Sequence, residues 1–161
     1  MNRTTTVAFT GHRSYRGEAD DALGRLLQEL YEAGARTFLS GMAVGFDLAA
    51  AEAVIALRRR FPEVRLVAVV PFAGQAASFS AEERRRYERV LAAADEQVTL
   101  SPRFFAGCYQ VRNTFLIEHA ATLVAWYNGA RGGTQQTFLM AMHRGLRVEN
   151  LGKIHPDPRL F

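Results

Sequence analysis

Residues 37–60 read TFLSGMAVGFDLAAAEAVIALRRR, and this stretch decides the fold. Its first three residues form a short run with strand character, and the segment from Asp47 to Arg60 has the length and composition of a helix. A loop that contains glycine joins the two. Because a helix is the usual crossover between parallel neighbours, the stretch predicts one strand, loop and helix of a parallel sheet.

The same alternation runs through the rest of the chain. We predict strands over Thr6–Phe9, Thr37–Leu39, Arg65–Val70, Glu96–Leu100, Thr122–Tyr127 and Arg147–Leu151. We predict helices over Glu18–Ala33, Asp47–Arg60, Ala81–Ala93, Tyr109–Ala120 and Gly133–Arg144. Strands and helices that alternate in this way indicate an α/β fold with a mostly parallel sheet and helices on both faces.

The composition indicates one soluble domain. A chain of 161 residues has the size of a single domain, and 48% hydrophobic with 22% charged residues argues against disorder. No apolar run is long enough to span a membrane, and the only cysteine, Cys108, excludes an intrachain disulfide. We expect residues 1–161 to form one cytoplasmic domain without a membrane partner, with an extended C-terminal tail over 152–161.

Neither the charge nor the histidines point to a particular partner. The chain has 20 basic and 16 acidic residues, a net charge of +4, and its densest arginine runs, Arg58–Arg60 and Arg84–Arg86, fall on predicted helices. Such runs are more typical of a solvated helix face than of a binding patch. No metal site is expected, because metal-ligand spacing is absent from His119, His143 and His155.

The loops that follow the predicted strands carry glycine, hydroxyl and other polar residues. In an open parallel sheet, ligands bind outside the carboxyl ends of the strands. Four such loops stand out by composition, namely 10–13, 40–47, 71–75 and 128–134. We therefore expect a binding site on the edge of the sheet where these loops gather.

Two of these loops place glycine just before a predicted helix. They contain Ser40, Gly41 and Gly45 in one case, and Gly132, Gly133 and Thr134 in the other. Glycine lets backbone approach a ligand, and the free N–H groups of a first helical turn favour an anion, so phosphate is the expected guest. The spacing matches neither the P-loop nor the dinucleotide fingerprint. Asp47 is interpreted as a helix N-cap or a ligand contact, and Thr134 as a cap or a phosphate ligand.

Glu52 is the only charge in the apolar run 48–57. A carboxylate in a buried helix needs a partner, because an isolated buried charge is costly. It could bind a ribose hydroxyl, pair with Arg13 or Arg112, or act as a general base. A structural or ligand hydrogen bond is favoured over catalysis, since no second carboxylate or nucleophile with diagnostic spacing accompanies it.

Other candidates lie near the same edge. Arg112 and Asn113 begin a predicted helix and could contact a phosphate, although helix capping and an internal salt bridge are nearly as good explanations. His12 and Arg13 follow the first strand and point to the same edge. Tyr127 is a candidate stacking face for a base.

Together these residues resemble a known family. The resemblance rests on Thr10, Gly11, His12 and Arg13; on Ser40, Gly41, Met42, Ala43, Gly45 and Asp47; on Ala51 and Glu52; on Gln75; on Arg112 and Asn113; and on Gly132, Gly133 and Thr134. In this order they are similar to the YpsA-like family of the SLOG superfamily, over nearly the whole chain. The resemblance implies a bacterial protein with a Rossmann-like three-layer sandwich, a sheet ordered 3-2-1-4-5, and a site on these residues for a nucleotide or nucleotide-derived ligand.

Two relatives in that superfamily define the alternatives. LOG enzymes, which cleave the N-glycosidic bond of cytokinin ribotides, carry a catalytic glutamate after their glycine and threonine loop, whereas Thr134 is followed here by Gln135 and Gln136. This departure counts against hydrolysis, although Glu52 could serve a different geometry. DprA, which loads recombinase onto single-stranded DNA, has a similar serine and glycine stretch and an arginine-asparagine pair. Against it, this chain lacks extra domains and shows no basic stripe interleaved with aromatics.

The sequence thus predicts the binding or sensing of a small phosphate-bearing ligand at the strand ends. The alternatives are LOG-type N-glycosidic hydrolysis and DprA-like binding of single-stranded DNA. No cofactor beyond a nucleotide-derived ligand is expected and no catalytic residue is assigned. The sequence leaves open whether the protein forms a homo-oligomer.

Overall fold

The six predicted strands form one sheet in which all neighbours run parallel. The computed structural model describes residues 1–155. Its strands are β1 Thr6–Gly11, β2 Thr37–Ser40, β3 Arg65–Val70, β4 Glu96–Thr99, β5 Thr122–Trp126 and β6 Arg147–Asn150. Its α-helices are α1 Asp20–Glu32, α2 Phe46–Arg60, α3 Ala81–Ala93, α4 Cys108–Glu118 and α5 Gly133–His143, and short 3-10 helices span Arg3–Thr5 and Gln75–Ser78. Every predicted strand and helix is confirmed, with ends that differ by at most two residues.

The strands are ordered β4-β3-β2-β1-β5-β6. The order 3-2-1-4-5 is wrong for the fourth strand, which lies outside β3 instead of beside β1. Because α3 packs against α2, it leads the chain from β3 outward to β4 at the edge of the sheet. The chain then crosses back, and β5 pairs with β1. The residues of β4 are largely polar and exposed, as suits an edge strand. The order reverses beside β1, which is where a ligand crevice is expected.

Alternate side chains of β1 enter two separate cores. Val7 and Phe9 face the layer of α1, α2 and α3, where the Phe9 ring stacks on Phe38 of β2 at a centroid distance of 6.2 Å. Ala8, between them, faces the layer of α4 and α5. A strand with a helical layer on each side requires this period of two. The sheet lies between two layers of helices, which confirms the Rossmann-like three-layer sandwich.

The end of β1 packs closely on the first turn of α2, and two glycines allow it. A Cβ on Gly11 would lie 2.4 Å from Cβ of Phe46, and a Cβ on Gly45 would lie 2.6 Å from the carbonyl oxygen of Arg13. Gly45 also has a φ of 83°, a left-handed conformation that other residues rarely adopt. The N–H of Phe46 donates to the carbonyl oxygen of His12 at 3.3 Å. The loop after β1 is thereby fixed to the start of α2.

The last described residues have no regular secondary structure. In this segment, 152–155, the N–H of His155 donates to the carbonyl oxygen of Asn128 at 3.0 Å. The remainder of the predicted tail, 156–161, lies outside the described residues. Within residues 1–155, no helix combines the length and the apolar character needed to cross a bilayer.

Candidate ligand-binding site

A cavity of about 400 Å³ opens at the carboxyl edge of the sheet. The loops after β1, β2 and β3 line it together with the first turns of α4 and α5. Ten residues predicted from the sequence lie in this lining: Thr10, Gly11, Arg13, Asp47, Gln75, Arg112, Asn113, Gly132, Gly133 and Thr134. The structure therefore brings the predicted loops together around one space, with Thr10 and Gly133 on the same side of the sheet.

Arg112 is the buried cation of this cavity. Only 7% of its surface is exposed. Its Nη1 donates to the carbonyl oxygen of Gly41 at 2.5 Å, and its Nε donates to Oδ1 of Asn113 at 2.9 Å. A Cβ on Gly41 would lie 2.7 Å from Nη1, so this glycine makes room for the guanidinium. Among residues 1–155, Arg112 forms no ion pair and its Nη2 has no hydrogen-bond partner, which leaves two N–H groups free for an anion.

Gln75 brings a second unsatisfied group to the same place. The residue is 5% exposed, and its Nε2 donates at 3.2 Å to the carbonyl oxygen of Gly41, which also accepts from Arg112. Because a carbonyl oxygen only accepts, the amide must turn its nitrogen toward Gly41 and its Oε1 away. Within the described part of the chain, the buried Oε1 has no hydrogen-bond partner. Gln75 therefore holds a buried acceptor without a protein partner, next to the Gly41 carbonyl oxygen that Arg112 also binds.

Three helices begin beside the cavity without a side-chain cap. The residues before α2, α4 and α5 are Gly45, Gly107 and Gly132, and none of them supplies a side-chain hydrogen bond. The start of α3 differs, because Oγ of Ser80 accepts from the N–H of Glu83 at 3.1 Å. In α2 and α4, the N–H groups of Phe46, Leu48 and Cys108 donate to carbonyl oxygens of the preceding loops. Among the described residues, the N–H groups of 133–135 in α5 have no such partner and stay available to an anion.

The capping roles considered for Asp47 and Thr134 are wrong. Each is the second residue of its helix, after Phe46 in α2 and Gly133 in α5, so the cap position falls on the preceding glycine. The Asp47 side chain turns back, and its Oδ2 accepts from the N–H of Ala43 at 3.3 Å. Both residues instead line the cavity.

Asp47 supplies the only carboxyl among the described lining residues. Burial raises the pKa of Asp47 from 3.8 to about 6, and the nearby charge of Arg112 and the N–H of Ala43 offset part of that rise. Burial also lowers the pKa of Arg112, although arginine remains protonated in proteins. Below about pH 6, Asp47 becomes neutral and the lining gains positive character.

We expect Asp47 to lower the stability of the fold as the pH rises. Because the pKa is higher in the folded protein than the ordinary value, unfolding releases a proton, and the free energy of unfolding falls by up to about 3 kcal/mol between about pH 4 and pH 6. Urea unfolding across this range should show that, as the pH rises, the free energy of unfolding of the wild type falls relative to that of Asp47→Asn. The same pH dependence in both proteins would refute this assignment.

Three of the predicted residues hold the loops in place instead of lining the cavity. Oγ of Ser40 donates to the carbonyl oxygen of Asp47 at 2.9 Å and accepts from the N–H of Met42 at 3.2 Å. Met42 is fully buried and has a φ of 65°, which is unusual for a residue with a side chain. Nε2 of His12 accepts from the N–H of Asn128 at 3.1 Å, and burial lowers the pKa of His12. These contacts fix the positions of the loops after β1, β2 and β5.

Glu52 lies outside the cavity. Its carboxylate accepts two hydrogen bonds from Arg86 of α3, from Nε at 3.1 Å and from Nη2 at 2.5 Å. The predicted partners Arg13 and Arg112 are therefore wrong, and so is the buried position, because the side chain is 39% exposed. At about 100° per residue, Glu52 lies about 140° round α2 from Asp47, which directs it toward α3.

We expect Glu52→Gln to leave ligand binding unchanged within about twofold, because no lining residue contacts Glu52 and an exposed ion pair contributes little. The free energy of unfolding should fall by less than about 1 kcal/mol. Calorimetric titration and urea unfolding measure the two quantities. A loss of affinity of tenfold or more, in a variant as stable as the wild type, would place Glu52 in the site after all.

Sequence reasoning missed an aromatic cluster at the mouth of the cavity, formed by Phe72, Phe104 and Tyr109. The Phe72 ring meets the other two edge to face, at centroid distances of 5.5 Å and 6.2 Å. Phe104 and Tyr109 remain exposed, and Tyr109 lines the cavity with its ring 5.7 Å from the guanidinium carbon of Arg112. The signal was present, since these aromatics lie in the segments that follow β3 and β4.

Tyr127 does not form the stacking face predicted for it. The residue is buried, and its ring lies between those of Phe138 and His12 at centroid distances of 4.6 Å and 5.9 Å. Its position at the end of β5 turns it into the core under α5. Cys108 is buried too, at the start of α4.

A second hollow, of about 890 Å³, lies between α1 and α2 on another side of the molecule. Its charged residues are of both signs, and several already have partners. Glu52 pairs with Arg86, and Nη1 of Arg60 donates to Oε1 of Gln28 at 2.8 Å. The smaller cavity, with its unpaired cation and uncapped helix starts, is chemically the better site for an anionic ligand.

Fold and site together define a Rossmann-like α/β protein with a polar cavity where the strand order of its sheet reverses. The model of the YpsA family, described as the YspA SLOG family, matches residues 7–151. The chain belongs to this family, as its motifs indicated.

Similar proteins agree with this assignment. The SPbeta prophage-derived protein YoqJ of Bacillus subtilis is 30% identical over 132 residues, which cover 74% of this chain and 77% of YoqJ. DNA processing protein A (DprA) of Streptococcus pneumoniae superposes with a TM-score of 0.64 at 20% identity, over 91% of this chain and 50% of DprA. DprA of Helicobacter pylori, known for its single-stranded DNA binding mode, gives a TM-score of 0.66 at 16% identity, over 92% of this chain and 65% of that one. At these identities the likeness to DprA shows the fold alone, and this chain spans only part of the DprA chains.

Proposed function

We propose that the protein binds a nucleotide or nucleotide-derived ligand in the cavity at the strand ends, as a cytoplasmic binding or sensing protein. The observation that carries the proposal is Arg112, a buried guanidinium that forms no salt bridge among the described residues and has only the buried Asp47 carboxyl nearby. A buried cation is costly unless something neutralises it. A phosphate group on the ligand would do so.

The start of α5 supports the same position for the phosphate. A Cβ on Gly133 would lie 3.8 Å from Nδ2 of Asn113, whose Oδ1 in turn accepts from Nε of Arg112. The uncapped start of α5 and the guanidinium therefore both lie next to the Asn113 side chain. A phosphate between them would receive charge-assisted hydrogen bonds from both.

The size and the mouth of the cavity suit the rest of a nucleotide. A volume of about 400 Å³ lies within the usual range for small-molecule sites. The exposed ring of Tyr109, with Phe72 and Phe104 beside it, supplies a surface on which a base can stack. Arg13, exposed and also part of the lining, adds a second cation.

Calorimetric titration with adenosine monophosphate tests the proposal, with Gly133→Val as the diagnostic variant. Gly133 has no close neighbour, so valine should fit without loss of the fold, while its methyl groups cover the first N–H groups of α5. We expect an affinity at least about tenfold lower than that of the wild type. Gly24→Val on α1, where a Cβ meets nothing within 4 Å, is the matched control and should bind like the wild type. Equal binding by all three proteins, or none by the wild type, would contradict the proposal.

Single-stranded DNA is a second candidate ligand, favoured by the exposed aromatic cluster and by the similarity to DprA. A cavity with two lining arginines neutralises few phosphates, so DNA affinity should be weak and should fall away at physiological salt. Tight binding at physiological salt with a steep salt dependence would instead favour DNA. Filter binding of an oligonucleotide across a salt series distinguishes these outcomes.

The hydrolase alternative has one candidate group in the cavity, the Asp47 carboxyl with its raised pKa. We propose that it serves binding, because no other carboxyl among the described residues lines the cavity to complete an acid-base pair. Incubation with nucleoside monophosphates should then release no free base above the background rate. Release that is lost in Asp47→Asn, while ligand affinity persists, would make the protein an enzyme with Asp47 as its acid or base.

A further inference from the structure

We infer that Gln75 selects a ligand with a free sugar hydroxyl next to its phosphate, so that the cavity takes a mononucleotide of the ribose series in preference to inorganic phosphate or DNA. This inference rests on the proposed function, since it concerns the same cavity. It starts from Oε1 of Gln75, the only buried side-chain polar atom among the described residues that lacks a hydrogen-bond partner.

The orientation of Gln75 is fixed by its neighbours. Its Nε2 and Nη1 of Arg112 donate to the same carbonyl oxygen of Gly41, at 3.2 Å and 2.5 Å. A rotated amide would bring Oε1 against that oxygen and would lose the hydrogen bond. The acceptor therefore has no partner among the described protein groups, and a buried acceptor gains from a ligand that donates to it.

The shared oxygen also limits which ligand group can reach Oε1. Because both side chains converge on Gly41 and both residues line the cavity, a ligand whose phosphate reaches the guanidinium brings its neighbouring groups toward the Gln75 amide. In a nucleotide the sugar is bonded directly to the phosphate, whereas the base is further away. A sugar hydroxyl is therefore the donor closest to the phosphate, and the base is left for the aromatic cluster at the mouth.

This arrangement separates three classes of ligand. Inorganic phosphate satisfies Arg112 but brings no sugar hydroxyl next to the phosphate. A DNA strand has neither a 2′-hydroxyl nor, within the strand, a free 3′-hydroxyl. A free ribonucleotide supplies both the anion and the donor, so the two unsatisfied groups are filled together.

The test is a calorimetric titration of the wild type with adenosine monophosphate and with its 2′-deoxy, 3′-deoxy and 2′,3′-dideoxy analogues. We expect the dideoxy analogue to bind about fivefold to 20-fold more weakly, and the two single deoxy analogues to show which hydroxyl donates. In Gln75→Met, which keeps the length of the side chain and removes the acceptor, all four ligands should bind alike.

Gln97→Met is the matched control. Nε2 of Gln97 also donates to a backbone carbonyl oxygen, that of Leu91 at 3.2 Å, but on the edge strand β4 and outside the cavity. This variant should keep the full preference of the wild type for the hydroxyl. The preference is a ratio of affinities measured on one protein, so a general loss of stability in a variant does not imitate it.

Two results would overturn the inference in different ways. If the four nucleotides bind the wild type with equal affinity, or the preference survives in Gln75→Met, then Gln75 does not select the hydroxyl while the proposed function stands. If no nucleotide binds the wild type, the proposed function fails and the inference fails with it.

Discussion

Arg112→Met should weaken the binding of adenosine monophosphate by about 100-fold or more, because two charge-assisted hydrogen bonds and the only buried cation of the cavity are lost together. Methionine has a similar length and no charge. Because the substitution also removes the hydrogen bonds from Arg112 to Gly41 and Asn113, the free energy of unfolding should fall by about 1 to 3 kcal/mol while the protein stays folded. Calorimetric titration measures the first quantity and urea unfolding measures the second.

Arg131→Met is the control for this prediction. Arg131 is exposed in the segment before α5, close to Gly132 in the chain, but it does not line the cavity. The substitution removes the same charge and should change the affinity by no more than about twofold, since an exposed charge is screened. An equal loss in both variants would mean that the overall charge attracts the ligand, and the role given to Arg112 would be wrong.

Gly45→Ala should be the most damaging single methyl group added to this fold. The φ of 83° strains any residue other than glycine, and the new Cβ would lie 2.6 Å from the backbone of Arg13. We expect the free energy of unfolding to fall by about 3 kcal/mol or more, from backbone strain and overpacking together. Urea or thermal unfolding would show it, and stability equal to that of the wild type would contradict the packing of α2 against β1.

Gly24→Ala adds the same methyl group but should stabilise the fold. Gly24 lies inside α1 and is exposed, and a Cβ there meets nothing within 4 Å. Alanine should raise the free energy of unfolding by about 1 kcal/mol, because glycine loses more conformational entropy in a helix. The pair of variants thereby separates the general cost of a methyl group from its cost at the junction of β1 and α2.

The elements of the fold follow directly from the sequence, because each strand and helix has a local signal. The apolar run over residues 65–70 has the length of a buried strand, and the 47–60 segment has the composition of a helix. The place of β4 in the sheet has no such signal, since strand order depends on how α3 packs against α2. A polar strand such as β4 suits an edge, and this pattern was the available clue to its position.

The cavity could be predicted in outline because the carboxyl ends of parallel strands meet on one edge. Glycines before α2 and α5 and the polar residues after β1 were sufficient to locate it. Which side chains point into it could not be predicted from residue type alone. Ser40 and His12 look like ligand contacts in sequence, yet each bonds neighbouring backbone.

Glu52 shows why a residue type can mislead. A single carboxylate in an apolar helix predicts a buried, functional group, but its direction depends on the angle around α2 and on what α3 places opposite. Arg86 occupies that position and lies 34 residues away in the chain, so no local pattern reveals the pair. The unsatisfied Oε1 of Gln75 is equally invisible in the sequence, since it arises from three segments that meet at Gly41.

The most direct test of the proposed site is a crystal structure of the protein with adenosine monophosphate. We expect the phosphate in the cavity at the strand ends, within hydrogen-bond distance of Nη2 of Arg112 and of the N–H groups that begin α5, with the base against Tyr109. A phosphate held instead in the hollow between α1 and α2, against Arg60 or Arg25, would contradict the assignment of the site.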